Sequence, residues 1–354
     1  MPEGHSVHRI ANQIRATFGG RRIDASSPQG RFADGAARIN GTVLTDCFAV
    51  GKQMFAAFDN GLWLRVHLGI YGAWDFWGEV TAVDYSAGVP SVTLPGAERA
   101  ADSAPLVERA GDSGRIGQTG EYAAANRMHT VAQIVDADGE DSALSIGAPR
   151  RRRMAEHDTE LATSEQWPPE IVGTVRLRML TDRSCADLRG PTVCELLDDA
   201  GVERVLDRLG PDPLVGDPAA GEERFVKNAA RRRVPIGQLL MDQAVVAGIG
   251  NIYRAEILFR AGIDPHLPGN EVPESKLREM WRDWTRLLPD GVRVGRMMTI
   301  DGLTGEQWEL ALADVAHRHW VYGRAGEPCR RCGANVQVEL MQGRKLYWCP
   351  GCQR

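Results

Sequence analysis

Four cysteines crowd into the last 26 residues as two tight pairs, Cys329-x2-Cys332 and Cys349-x2-Cys352, with 16 residues between the pairs. Two such knuckles can aim four thiolates at one point, and a closed tetrahedral sulfur site favours Zn²⁺. The spacing therefore predicts one structural Zn²⁺ stapling the tail. Between the knuckles, Val336–Leu340 and Lys345–Tyr347 read as a hairpin around Met341-Gln342-Gly343-Arg344. Arg344 at its tip either grips a phosphate or is a solvated charge, and the tail alone does not choose between them. Cys47, Cys185 and Cys194 lie in apolar contexts and are expected to be buried, inert thiols. Paired knuckles without a thioredoxin-like βαβ pattern argue against a redox protein, and cysteines clustered as ligands suit a reducing compartment.

The length of 354 residues suits two domains, and an apolar content of 43% excludes wholesale disorder. No run of 18 apolar residues exists, and the N-terminus lacks an apolar signal region. A cytoplasmic monomer, nucleoid-associated if it binds DNA, is the expectation. The formal charge of −5 argues against a nucleic-acid partner until it is divided. Residues 1–80 carry +1, 81–170 carry −7, 171–220 carry −3 and 221–354 carry +4. The acidity thus lies in the middle. Residues 83–169 are rich in Ala, Gly, Asp, Ser and Glu and lack sustained periodicity, apart from a short strand at Val131–Val135. This segment reads as a flexible acidic insert, and its run Arg150-Arg151-Arg152-Arg153 as a solvated cluster ahead of a contact with nucleic acid.

Apolar positions Val7, Ile10, Ala11, Ile14 and Phe18 predict a helix over Ser6–Phe18. Strands are expected at Arg22–Ser26, Thr42–Val50, Gln53–Phe58, Leu62–Leu68, Tyr71–Trp77 and Thr174–Met179. Many short strands with Gly-rich turns imply a β-sandwich. Pro191–Leu209 reads as one or two short helices, and the stretch from Gly210 to about Gly221 as a Pro/Gly-rich linker. Helices follow at Glu222–Arg231, Pro235–Val246, Ile252–Ala261, Glu274–Leu288 and Glu306–Trp320. The fold class is α+β: an N-terminal β-sandwich flanked by helices, then a helical domain, then the zinc hairpin.

The turn Ala247-Gly248-Ile249-Gly250-Asn251 separates two of these helices, with Asn251 suited to the N-cap. A helix N-terminus beside glycines can bind phosphate, although an ordinary helical hairpin would look the same. Lys227, Arg231, Arg232 and Arg233 upstream shift the balance toward nucleic acid.

Three widely spaced features therefore occur together: the start Pro2-Glu3-Gly4, the Gly-Ile-Gly-Asn-Ile-Tyr turn and the four-cysteine tail. The combination resembles the formamidopyrimidine-DNA glycosylase / endonuclease VIII family, bifunctional DNA repair enzymes with a helix–two-turn–helix motif and a zinc finger. The resemblance covers roughly residues 1–82 and 170–354. It implies a catalytic domain at 1–209 carrying the 83–169 insert, a linker at 210–221, a helix–two-turn–helix domain at 222–320 and a zinc finger at 321–354. The residues also suggest the chemistry. Removal of Met1 exposes the secondary amine of Pro2, and α-amino groups have pKa values near 8, so a useful fraction is nucleophilic at pH 7. Attack on a sugar C1′ expels the base and leaves an iminium, which acidifies C2′ and sets up strand cleavage. Glu3 can shuttle protons beside this nucleophile. By resemblance, Lys52 bridges a phosphate and donates a proton, Asn251 and Arg344 grip the phosphates flanking the lesion, and elimination proceeds through β and δ steps. The partner is damaged DNA, duplex or single-stranded, kinked with its damaged nucleotide flipped out. Ile70 and Tyr71, in His67-Leu68-Gly69-Ile70-Tyr71-Gly72, match the loop that fills the gap, though both could equally be core residues at a strand bend.

Two departures from the family pattern stand out. Gly4-His5-Ser6 replaces a segment that often carries a second glutamate, and His5 near Pro2 could titrate at pH 6–7, although a histidine at a helix N-terminus is more often structural. No arginine–phenylalanine wedge of the oxidised-guanine branch is evident, which favours the endonuclease VIII-like branch and oxidised pyrimidines. The alternatives are an oxidised-purine-preferring glycosylase and a non-catalytic relative that binds damaged DNA or junctions.

Overall fold

The computed structural model describes residues 2–94, 144–148 and 167–354. Helix α1 (Gly4–Phe18) opens the chain and buries Val7, Ile10, Ala11, Ile14 and Phe18, the face its periodicity marks. Burying each such side chain is worth about 1.5–3 kcal/mol. Strand β1 (Arg22–Ser26) pairs with β2 (Thr42–Val50) through Arg22 and Ile23, then with β7 (Val175–Leu180) through Asp24, Ala25 and Ser26. It therefore passes from one half of the sheet to the other. One half continues through β3 (Gln53–Phe58), β4 (Trp63–His67) and β9 (Val193–Leu197). The other continues through β8 (Ser184–Arg189), β5 (Ala73–Gly78) and β6 (Ser145–Gly147). Residues of both halves, such as Leu64 and Val66 with Trp74 and Leu188, share one core with α1, which gives the expected sandwich.

Several local expectations give way to tertiary contacts. Val193–Leu197 is a strand, because it completes an edge against β4 with Val193 opposite His67 and Leu197 opposite Trp63. Only Asp199–Leu206 beyond it is helical (α3), capped by the Asp198 carboxylate on Gly201 N–H. A short helix, α2 (Ala33–Ile39), was not anticipated. Nor was β8, whose buried Asp187 and Arg189 obscure a strand pattern. They are satisfied by ion pairs, Arg178–Asp187 at 2.7 Å and Arg189–Asp75 at 2.6 Å.

Described parts of the insert pack on the rest of the fold. Ser145–Gly147 pairs with Ala73–Asp75, while Tyr85 and Val89 pack on the helical domain. Val92 N–H donates to Leu214 O at 2.7 Å. The strand expected at Val131–Val135 and the run Arg150–Arg153 lie outside the described residues. The linker is likewise built in. Residues 210–214 are buried, and helix α4 (Pro218–Ala230) starts before the expected boundary, capped by Asp217.

The helical domain contains α4, α5 (Ile236–Leu239), α6 (Asn251–Ala261), α7 (Glu274–Val294) and α8 (Gly305–Ala313). The helix expected over Pro235–Val246 stops after Leu239 and gives way to turns around Asp242, whose side chain accepts Ala244 N–H. Helix α7 runs through Pro289 despite the lost N–H. Contacts with α1 carry it onward, since Arg9 donates to Val292 O at 2.8 Å and Gly291 packs on His5. Helix α8 ends at Ala313, well before Trp320. Strands β10 (Gln337–Met341) and β11 (Arg344–Trp348) form the tail hairpin.

Candidate active site at the domain seam

Three backbones meet where α1 begins. Gly4 N–H donates to Gly248 O at 2.9 Å, and a Cβ on Gly4 would lie 2.9 Å from Gly248 Cα. Gly51, in the β2–β3 turn with φ +58°, would place a Cβ 2.8 Å from that of Ala247. Only glycine permits this approach at either position. The start of α1, the Gly51-Lys52 turn and the loop before α6 are thereby packed as one unit.

Pro2 and Glu3 are buried at this junction. The Glu3 carboxylate accepts N–H groups from Gly250 at 2.9 Å, Ile252 at 2.8 Å and Tyr253 at 3.4 Å. These are donors left unpaired at a helix N-terminus, so Glu3 caps α6 from another domain. Gly250 itself occupies the N-cap position, which corrects the expectation for Asn251. Asn251 is the first helical residue, and its Nδ2 donates to Lys345 O at 2.9 Å. Arg254, one turn on, donates from Nη2 to Asn251 Oδ1 at 2.6 Å and to Lys345 O at 3.2 Å.

Lys52 is half-buried. Burial pushes its pKa down to about 8, assisted by the charges of Arg344 and Arg254 and opposed by the Glu3 carboxylate. Arg344 is exposed at the start of β11, next to the Gln342-Gly343 tip. That tip is docked: Gln342 Nε2 donates to Gln238 Oε1 at 2.9 Å, and Met341 Sδ lies against Gly237. Lys52, Arg254, Arg344 and Glu3 thus form one electrostatic group. The Gly51 turn is held from behind by buried Asp212. Its Oδ2 accepts Gly51 N–H at 2.6 Å and bonds His8 Nε2 at 2.9 Å, and its Oδ1 accepts Leu214 N–H at 2.9 Å. His5 does not titrate near neutrality. Burial pushes it down to about 3, with the Arg9 charge adding to the effect, and its ring meets Tyr253 edge-on.

Ile70 and Tyr71 are 43% and 52% exposed in the turn between β4 and β5, so neither is a core residue. The turn follows His67, the last residue of β4, which lies opposite Gln53, the residue after Lys52. Burial and then the Lys52 charge lower the His67 pKa. In the tail, the sulfurs of Cys329, Cys332, Cys349 and Cys352 all lie within 4.8 Å of one another. Cys329 and Cys352 are 3.9 Å apart, and Cys332 and Cys349 are 3.4 Å apart. A tetrahedron with Zn–S bonds of about 2.3 Å has edges of about 3.8 Å, so the donor set fits Zn²⁺.

Sequence reasoning missed Arg254, the Asp212–His8 pair and the seam roles of Gly4 and Gly51. The three-residue step from Asn251 to Arg254, which places both on one helix face, was the available signal for the first.

The family model described as the formamidopyrimidine-DNA glycosylase N-terminal domain matches residues 1–105, and that described as the formamidopyrimidine-DNA glycosylase H2TH domain matches residues 209–301. Endonuclease 8 1 of Mycobacterium tuberculosis is 35% identical over 355 residues, covering 100% of both chains. A formamidopyrimidine-DNA glycosylase of Thermus thermophilus is 38% identical over 150 residues, covering 42% of this chain and 55% of that one. Two solved structures share the fold. The MutM (Fpg) protein of Thermus thermophilus has a TM-score of 0.59 at 22% identity, covering 99% of this chain and 98% of that one. Lactococcus lactis Fpg bound to DNA containing an AP site has a TM-score of 0.60 at 18% identity, covering 99% of each chain. No helix among the described residues is long and apolar enough to cross a membrane.

Proposed function

The chain belongs to the formamidopyrimidine-DNA glycosylase and endonuclease VIII family of DNA glycosylases with AP lyase activity, and from that premise we propose how it acts. It excises oxidised bases from damaged DNA, pyrimidines before purines, through a Schiff base on Pro2 followed by β,δ-elimination. Full-length similarity to an endonuclease 8 supports the pyrimidine branch. The observation that carries the reading is the burial of Pro2-Glu3 at the seam, with the Glu3 carboxylate on the N-terminus of α6 and Lys52 beside it.

Once Met1 is removed, the Pro2 nitrogen attacks C1′ and the bond to the base breaks. The electron pair leaves with the base, which takes a proton. Glu3, held rigidly by backbone donors, is placed to relay that proton. The iminium then promotes loss of a C2′ proton and rupture of the C3′–O bond. Lys52, shifted down to about 8, is mostly protonated at pH 7 yet releases its proton more readily than an ordinary lysine. That suits a group that bridges a phosphate and donates a proton. Asn251 and Arg344 bind the flanking phosphates, and Ile70 and Tyr71 fill the space of the flipped nucleotide. Cys329, Cys332, Cys349 and Cys352 would hold Zn²⁺, which supplies rigidity to the hairpin carrying Arg344.

Borohydride reduction on DNA containing an abasic site tests the proposal. The processed chain should give a covalent adduct, and Pro2→Gly should give far less. No adduct from the wild type, or equal trapping by Pro2→Gly, refutes the Pro2 mechanism. A panel of duplexes bearing dihydrouracil, thymine glycol and 8-oxoguanine tests the preference, which fails if 8-oxoguanine is excised fastest.

A further inference from the structure

We propose that Arg254 is a positioning residue of the DNA site, setting where Asn251 and Arg344 stand relative to each other. The inference rests on the reading above that those two residues grip the DNA backbone. Arg254 is 1% exposed in the first turn of α6. Its Nη2 spans two elements, donating to Asn251 Oδ1 on the helix and to Lys345 O on the hairpin. Asn251 Nδ2 reaches the same carbonyl. The three groups close a triangle: the guanidinium takes the amide oxygen, and one amide N–H takes the carbonyl. An amide NH₂ has two donors, so the second remains for an acceptor brought by DNA. The carbonyl belongs to the residue after Arg344, so the same triangle fixes the root of that side chain.

The arrangement is poor for stability alone. A cation sits in the first turn of a helix, where the dipole opposes it. Its Nε is buried and has no hydrogen-bond partner among the described residues. Its charge also acts against Arg344, with Glu3 as the opposing carboxylate. An incoming phosphodiester brings acceptors and negative charge to this group, so the strain is relieved on binding. Both bonds leave from the one nitrogen Nη2. Lysine could supply the charge, but its ammonium ends one bond shorter on a flexible stem and is not held in a plane against both acceptors.

The test uses the full chain and a duplex carrying a tetrahydrofuran abasic analogue, titrated by fluorescence anisotropy. Arg254→Met should weaken Kd about tenfold, the size of one lost charge-assisted hydrogen bond. Arg254→Lys should recover little of that loss, and it keeps the test open should Arg254→Met fold poorly. Single-turnover excision at saturating DNA should stay within about threefold of wild type, a KM effect rather than a kcat effect. The double variant Asn251→Ala/Arg254→Met should bind worse than Asn251→Ala by clearly less than about tenfold, because the part of Arg254 that acts through the amide is already gone and only its bond to Lys345 O remains. Full recovery by Arg254→Lys, losses that simply multiply, or wild-type binding by Arg254→Met beside a weakened Asn251→Ala overturns the positioning role and leaves the phosphate-gripping reading intact. Wild-type binding by Asn251→Ala overturns that reading and this inference with it.

Discussion

Replacing Gly250 with alanine should disable the enzyme while leaving it folded. An added Cβ would lie 2.3 Å from Glu3 Cδ and 2.6 Å from Cγ and Oε1. The backbone there has φ −117°, so the substitution brings no left-handed strain and its effect falls on Glu3. The carboxyl carbon must retreat by at least about 1.1 Å to reach ordinary contact at 3.4 Å. It cannot do so and still accept all three N–H groups of Gly250, Ile252 and Tyr253. Losing one or two charge-assisted bonds costs about 1.5–3 kcal/mol each. A displacement of about 1 Å at a reacting group is worth about a hundredfold in rate. Single-turnover excision from a duplex bearing an oxidised pyrimidine should therefore fall about a hundredfold. Melting should drop by about 5–10 °C at the few degrees per kcal/mol usual for a domain of this size. In a Glu3→Ala background the clashing atoms are gone, and Gly250→Ala should then leave melting nearly unchanged. Excision within threefold of wild type, or an equal loss of stability in both backgrounds, would refute the reasoning.

Lys52 should lose its charge as pH rises through about 8, so affinity for the abasic analogue should weaken between pH 7 and 9.5. Arg344→Met removes one cause of the depression and should move that limb upward. A flat profile in the wild type contradicts the assignment. His5 is neutral when folded down to about pH 3, whereas the unfolded chain protonates it near 6.5. Unfolded protein thus binds the extra proton, and stability should fall from pH 6.5 toward 3, by a total on the order of 4 kcal/mol. Urea titrations of His5→Gln should show a shallower decline, and an unchanged slope counts against the burial argument. Chelation of the metal should unfold the hairpin and abolish DNA binding while the sandwich retains its melting transition. Loss of both transitions together would show that the tail supports the whole fold. Ile70→Ala and Tyr71→Ala should slow excision from duplex far more than from single strands, and unchanged duplex rates would remove them as gap fillers.

The sandwich was legible because alternating residues such as Val175, Leu177 and Met179 face a core, and α1 because its apolar face repeats at helical spacing. The four-cysteine cluster was legible because ligand spacing is nearly local information. The elements that escaped are those whose stability comes from partners distant in sequence. Val193–Leu197 is a strand through β4, more than 120 positions earlier. Asp187 and Arg189 can sit in a buried strand because Arg178 and Asp75 neutralise them. Asp212 read as part of a linker, yet it binds His8 and Gly51 N–H from two other segments. At the site, Pro2, Glu3 and Lys52 were chosen by chemistry and resemblance. The capping of α6 by a residue 247 positions away had no local signature.

That long-range cap changes what the two domains are to each other. The residues proposed for chemistry lie on the N-terminal domain, but the contacts that place them come from the helical one. Glu3 is held by α6, Gly4 N–H by Gly248, Arg9 by the end of α7 and His8 by Asp212. None of these contacts is local, and three of the four satisfy a polar group that the seam buries. The placement of Glu3 and Gly4 is thus a property of the seam. A perturbation of the α6 turn should therefore be felt at Pro2 before it is felt in either core.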